Sequence, residues 1–190
     1  GYKEARIVRR FMPLKEEENR HTNPIRFVAN GKTVYEQPAL YDTLTFDFSR
    51  EATIGSAYLD KNERLVFSPM DFTRHNNLPL MALQQMLQSV LFPASVPASQ
   101  RFNIAKEDYR FLYRYMSQYP SETAWPKYDT SEYNDSYTKF FFFRDGKQNI
   151  PPYIRVFHKA GCSYGFLTDA AYIVDFRHNV EFMLAGNIYV

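Results

Sequence analysis

The chain of 190 residues has a single cysteine, Cys162, so no disulfide can close within it, and the redox compartment stays open. No run of about 20 consecutive apolar residues occurs, which leaves no candidate for a membrane-spanning helix. An excess of one charge is lacking too. The net charge of +2 is too small to argue for nucleic acid or a membrane surface as partner. Metal-ligand spacing is missing: His21, His75, His158 and His178 are scattered, and neither His-x-x-x-His nor Cys-x-x-Cys occurs. There is no glycine-rich phosphate loop, no internal repeat and no low-complexity tract.

What the chain does have is aromatic mass. Phe and Tyr number 17 and 15, so the core is expected to be rich in rings. At this length one domain is expected, with enough chain to bury a core. Residues 1–42 are polar, with Lys15-Glu16-Glu17-Glu18 ahead of Asn23-Pro24, and read as loop or helix end. Residues 43–67 read as a small β-hairpin element turning at Asp60-Lys61-Asn62. Residues 77–120 form a helical layer. Asn77 is the expected cap of a first helix opened by Pro79, with Leu80, Leu83, Met86, Leu87, Val90 and Leu91 at helical spacing, ending before Pro93. A second helix starts near Asn103 and carries Ile104, Phe111, Leu112, Tyr115, Met116 and Tyr119. Turn signals stand at Asp145-Gly146 and Pro151-Pro152, and the run 140–143 is ambiguous between strand and buried helix. Three apolar runs, 153–158, 166–176 and 180–190, then predict a three-strand antiparallel meander. The expected class is α+β, an antiparallel sheet against helices.

Lys159-Ala160-Gly161 end the first of those runs, and 161–165 read as a small-residue turn. A lysine at the lip of a strand can face a ligand along the strand edge, and the glycine lets another backbone come close. The competing reading is an edge lysine that discourages strand pairing.

This stretch resembles the Lys-Thr/Ser-Gly motif of the penicillin-recognising serine hydrolases, the superfamily of class A β-lactamases and penicillin-binding proteins, whose other motifs are Ser-x-x-Lys and Ser-Asp-Asn. The following Gly165-Phe166-Leu167-Thr168-Asp169-Ala170 looks like that family's next strand, and the helix–loop–helix–loop–strand order of 77–190 is similar to the back half of its helical domain running into its sheet. The resemblance implies a β-lactamase/transpeptidase-like fold, incomplete at both ends here. Strands from both termini and a long C-terminal helix would belong to segments missing from this piece. It implies acyl transfer on a β-lactam or peptide-like amide, a small-molecule or peptide-like substrate, no cofactor, and export from the cytoplasm. Lys159 would supply positive charge and a proton relay. The backbone N–H of Cys162 would form half of an oxyanion hole. Ala160, Gly161 and Ser163 would line the substrate edge. Alanine at 160 departs from the family's hydroxyl residue, a donor whose hydrogen bond to a substrate carboxylate contributes roughly 1.5–3 kcal/mol.

The nucleophile is not expected within these residues. The one Ser-x-x-Lys match, Ser136-Tyr137-Thr138-Lys139, sits in a polar stretch rather than opening an apolar helix, and Asn134-Asp135-Ser136 is the second motif reversed. Glu18 and Asn23 mark a possible deacylation loop, but stand five apart where the family's Glu-x-x-x-Asn has four. His158 alternates with Lys159 along the strand and so faces the other way, making a Cys162–His158 pair an unfavoured arrangement. Asp169 is read as a carboxylate ordering the turn. Three functional readings stand: a serine hydrolase fragment, inert as given; a non-catalytic binding or sensor module of the same fold; and an unrelated α+β interaction domain.

Overall fold

The computed structural model describes residues 2, 4–10, 13–141 and 149–189. The Asp145-Gly146 turn and positions 142 and 143 of the ambiguous run lie outside the described residues. The chain divides into two compact units, residues 3–78 and residues 79–190 with the first two residues. The architecture is mixed α and β, with three α-helices among the described residues, small antiparallel ladders and a C-terminal three-strand meander.

The N-terminal unit contains helix α1 (Glu16–Arg20), strands β1 (Ile25–Ala29) and β2 (Lys32–Gln37), and four two-residue strands, β3 (Thr53–Ile54), β4 (Tyr58–Leu59), β5 (Leu65–Val66) and β6 (Met70–Asp71). β4 and β5 form a hairpin around residues 60–64, in which Asp60 Oδ1 accepts the N–H groups of Asn62 and Arg64. β1 and β2, in a stretch expected to be loop or helix end, form a second hairpin across Asn30-Gly31, both at positive φ. Little of this unit is deeply buried, and Arg6 does much of the ordering. Its guanidinium donates to the carbonyls of Asp47 and Thr73, each at 2.6 Å, and of His75 at 3.4 Å, and its Cζ lies 5.0 Å from the Phe48 ring centroid. A planar fork with five donors can satisfy three carbonyls from separate loops at once; an ammonium cannot reproduce that geometry.

In the C-terminal unit, α2 (Leu80–Leu91) and α3 (Lys106–Ser117) precede β7 (Ile154–Ser163), β8 (Phe166–Asp175) and β9 (Val180–Tyr189), in the sheet order β7-β8-β9. Pro79, not Asn77, occupies the cap position of α2; the Asn77 side chain instead donates to the carbonyl of Glu4 within the other unit. Leu87 and Leu91 of α2 form a buried cluster with Phe157, Ala170 and Tyr172, against which Met116 of α3 also lies. Tyr113 of α3 stacks on Phe157 at 4.4 Å. Phe111 and Tyr115, both assigned to the buried stripe by spacing, are exposed and pair with each other at 4.4 Å as i and i+4 neighbours. On the opposite sheet face Val156, Ala171 and Ile173 form a second cluster with Phe141. The ring of Phe141 lies so close to Gly186 that a Cβ there would sit 3.0 Å from it.

Replacing Arg6 by lysine is expected to destabilise the N-terminal unit by roughly 2 kcal/mol, since about two carbonyls lose their donors. Hydrogen exchange on the full chain checks this: faster exchange within residues 4–78 is expected, with that of β7–β9 unchanged.

Candidate functional site

β7 runs three residues into the expected turn. Lys159 through Ser163 pair in register with Ala170 back to Phe166, and the turn is only Tyr164-Gly165, at φ 52° and 80°. A two-residue turn with both φ values positive matches the twist of a hairpin, and glycine carries the second position without steric cost. Lys159 therefore stands within a ten-residue strand rather than at its lip, and 161–165 are not a loop.

Alternation along β7 sorts the candidates. Phe157, Lys159, Gly161 and Ser163 share the face on which α2 and α3 lie, while Val156, His158, Ala160 and Cys162 share the other. β7 pairs with β8 alone among the described residues, so its outer margin has no partner strand. Along that margin Lys159, Gly161, Cys162 and Ser163 are exposed. The Lys159 ammonium donates to the carbonyl of Ala160 at 2.6 Å. No heavy atom lies within 4 Å of a Cβ built on Gly161, so the space beside it is open. A bare strand margin offers backbone donors and acceptors to an extended ligand, and a neighbouring ammonium offers a charge to its carboxylate.

Behind this margin, on the other face, lies a buried polar cluster. Lys139 is 3% exposed. Its ammonium donates to the carbonyl of Val156 in β7 at 2.9 Å and of Met116 in α3 at 3.2 Å, and lies 5.4 Å from the ring centroid of Tyr119. Asp169, 3% exposed, sits diagonally across from His158, whose Nδ1 lies 3.0 and 3.1 Å from its two carboxylate oxygens. The backbone N–H of Phe140 adds a third contact to Asp169 at 3.3 Å. Asp169 is thus a core carboxylate holding β7, β8 and residues 139–140 together, not a turn-ordering one. Tyr119 donates its hydroxyl to the carbonyl of Ile154 at 2.9 Å, and burial pushes its pKa up to about 12.

Burial brings the Lys139 ammonium down to about 8, against the opposing pull of Asp169. Burial also lowers His158, a drop that the Asp169 hydrogen bond only partly offsets and the Lys139 charge deepens. Although His158 and Asp169 stand at ion-pair distance, the imidazole is therefore held neutral, with its proton on Nδ1 because a carboxylate can only accept.

The remaining candidates fall elsewhere. Ser136 is fully buried, donates its hydroxyl to Asn134 Oδ1 at 2.6 Å, and accepts the Lys139 N–H through its carbonyl at 3.1 Å. The Ser-x-x-Lys spacing closes a turn here. Glu18 caps α1, its Oε2 accepting the Lys15 N–H at 2.7 Å, and Asn23 is exposed; both belong to the N-terminal unit. Among the described residues no group of three or more His, Cys, Asp or Glu is arranged to hold a metal ion, and no helix is long and apolar enough to cross a membrane. Sequence reasoning passed over Lys139 as a core residue and Asp169 as its partner. The signal was present in part: a carboxylate inside a strand buried on both faces needs a donor to match it.

The unfolded chain takes up a proton at His158 near its ordinary pKa of 6.5, whereas the folded state resists it. Stability that is present above about pH 6.5 is therefore lost as pH falls below it. Thermal melts from pH 7.5 to 5 should show this loss, and His158→Gln should flatten it. Asp169→Asn should cost roughly 1–3 kcal/mol at pH 7, read from the same melts, by weakening the charged acceptor shared by His158 Nδ1 and the Phe140 N–H.

Comparison of this chain with protein-family models, with curated proteins and with solved structures finds no match.

Proposed function

We propose that the outer margin of β7 from Lys159 to Ser163 is the ligand edge of a domain similar to the penicillin-recognising serine hydrolases. The observation that carries this reading is the company Lys159-Ala160-Gly161 keeps: an unpaired sheet margin, open space over Gly161, two antiparallel strands following, and two helices lying on the Lys159 face. In this reading an extended substrate pairs with the β7 backbone and its carboxylate meets the Lys159 ammonium. A serine oxygen bonds to the acyl carbon, the C–N bond of the amide or β-lactam breaks, and the serine proton passes to the leaving nitrogen. The backbone N–H of Cys162 donates to the oxyanion. The attacking serine is not Ser136, whose hydroxyl is fully buried. These residues therefore contribute the binding edge, and the acylating serine belongs to another part of the enzyme.

The second reading is a binding or sensor module with the same edge and no turnover. Ala160 favours it, since a methyl stands where the family places a hydroxyl donor. Treating the protein, as its source expresses it, with a fluorescent penicillin and mapping labelled peptides separates the two. A covalent adduct on a serine supports the hydrolase. Saturable non-covalent binding alone supports the module. The absence of both an adduct and saturable binding would contradict a ligand edge of this kind.

Gly161→Ala provides an internal control. With open space around it and an ordinary φ, the added methyl should leave the melting temperature within about 2 °C of the parent, a change of no more than ~0.5 kcal/mol. Ligand binding should still fall at least tenfold, because the methyl stands where a substrate backbone approaches. Unchanged binding in a folded Gly161→Ala protein would count against the margin as the contact surface.

A further inference from the structure

We propose that a cavity in the N-terminal unit binds a small carboxylate bearing a short apolar tail. The cavity, about 80 Å³, is lined by three arginines, Arg9, Arg20 and Arg74. At about 10–15 Å³ per water sphere, this has room for several waters, enough for a carboxylate with a few carbons. Ile7, Val8, Phe46 and Phe48 add apolar lining to the same cavity. A ligand matched to both kinds of lining is amphiphilic, which favours a carboxylate with a hydrocarbon tail over a bare inorganic anion.

Each arginine is anchored and still has donors left. Arg20 uses Nη1 for the carbonyls of Asp42 and Leu44, at 2.9 and 2.8 Å. Arg74 uses Nη2 for Glu16 Oε2 at 3.0 Å, and its Cζ lies 4.6 Å from the Phe48 ring centroid. Arg9 contacts His75 Nε2 through Nη1 at 3.0 Å. A guanidinium has five N–H donors, so in each case the second terminal nitrogen and Nε keep theirs. Three such forks lining one cavity offer donors for bidentate recognition of a carboxylate.

The charge balance leaves room for an anion. Two carboxylates, Glu16 and Asp42, line the same cavity. Asp42 Oδ1 accepts the Leu44 N–H at 2.9 Å, and Glu16 is taken by Arg74, so the three guanidiniums outnumber the acidic groups facing them. The positive field is felt nearby: His75 is held below its usual pKa, first by burial and then by Arg9. Nothing in this inference depends on the β7 reading, which concerns the other unit.

Titration of the full chain with butyrate, butyramide and inorganic phosphate, followed by two-dimensional amide NMR, tests it. Butyrate is expected to give saturable shifts centred on residues 7–9, 19–20 and 46–48. Butyramide, the neutral isostere, should bind at least tenfold more weakly, and phosphate more weakly than butyrate. Arg74→Gln should lower butyrate affinity at least tenfold, and Glu16→Gln should raise it by removing a competing carboxylate. The Arg74 side chain is 59% exposed, so its replacement leaves the fold intact, which an unchanged amide spectrum verifies. Absence of saturation with butyrate, equal binding of butyramide, phosphate binding at least as tightly, or unaltered affinity in folded Arg74→Gln would each overturn the proposal.

Discussion

A single buried ammonium organises the C-terminal unit. Lys139 reaches under the sheet and gives its protons to carbonyls of α3 and β7, with an aromatic ring beside it and a carboxylate from β8 nearby. An unpaired charge in such a place would cost several kcal/mol, so its partners are obligatory. Asp169 supplies the counter-charge, and the neutral His158 and the Phe140 N–H use its remaining lone pairs. No buried side-chain polar atom among the described residues lacks a partner. The cluster ties together the last turn of α3, residues 139–140 and two adjacent strands, elements far apart in sequence.

That arrangement gives the two margins and faces of the sheet different tasks. One face of β7 is committed to packing and charge pairing through Val156 and His158; the other meets the helices through Phe157. What remains is the outer margin of the strand's far half, from Lys159 to Ser163, largely exposed and with no partner strand among the described residues. A margin of this kind is ordinarily a hazard, because free backbone groups invite another strand. Holding it rigid from behind while leaving it bare in front suits a surface that receives an extended ligand, which is the role proposed for it.

Much of this was legible in the residues. Three apolar runs predicted the meander, and observed strands Ile154–Ser163, Phe166–Asp175 and Val180–Tyr189 follow them closely. Leucine spacing and Pro93 fixed α2. Other features escaped for identifiable reasons. The hairpin of β1 and β2 was read as polar loop although Asn30-Gly31 between alternating residues is the strongest local signal for such a turn. Glycine and cysteine at 161–162 suggested a loop, yet cross-strand pairing carried the strand through to Ser163. Phe111 and Tyr115 fit a helical stripe but are exposed, because Tyr113 and Met116 are the residues of α3 that meet the sheet. The Lys139 cluster was invisible to motif reading, since it assembles from a turn, two strands and a helix end. Family resemblance drew attention to the exposed lysine of β7, whereas the buried one holds the unit together.

The most direct test follows backbone exchange along β7 itself. Hydrogen–deuterium exchange of the intact protein, measured by NMR with and without a saturating β-lactam or acyl-dipeptide carboxylate, reports which amides the ligand covers. Slowing confined to the outward-facing amides among residues 160–163, with residues 154–158 unaltered, is the expected result. Exchange unchanged along the whole strand, under conditions where the ligand is bound, would contradict the assignment of this margin as the ligand edge.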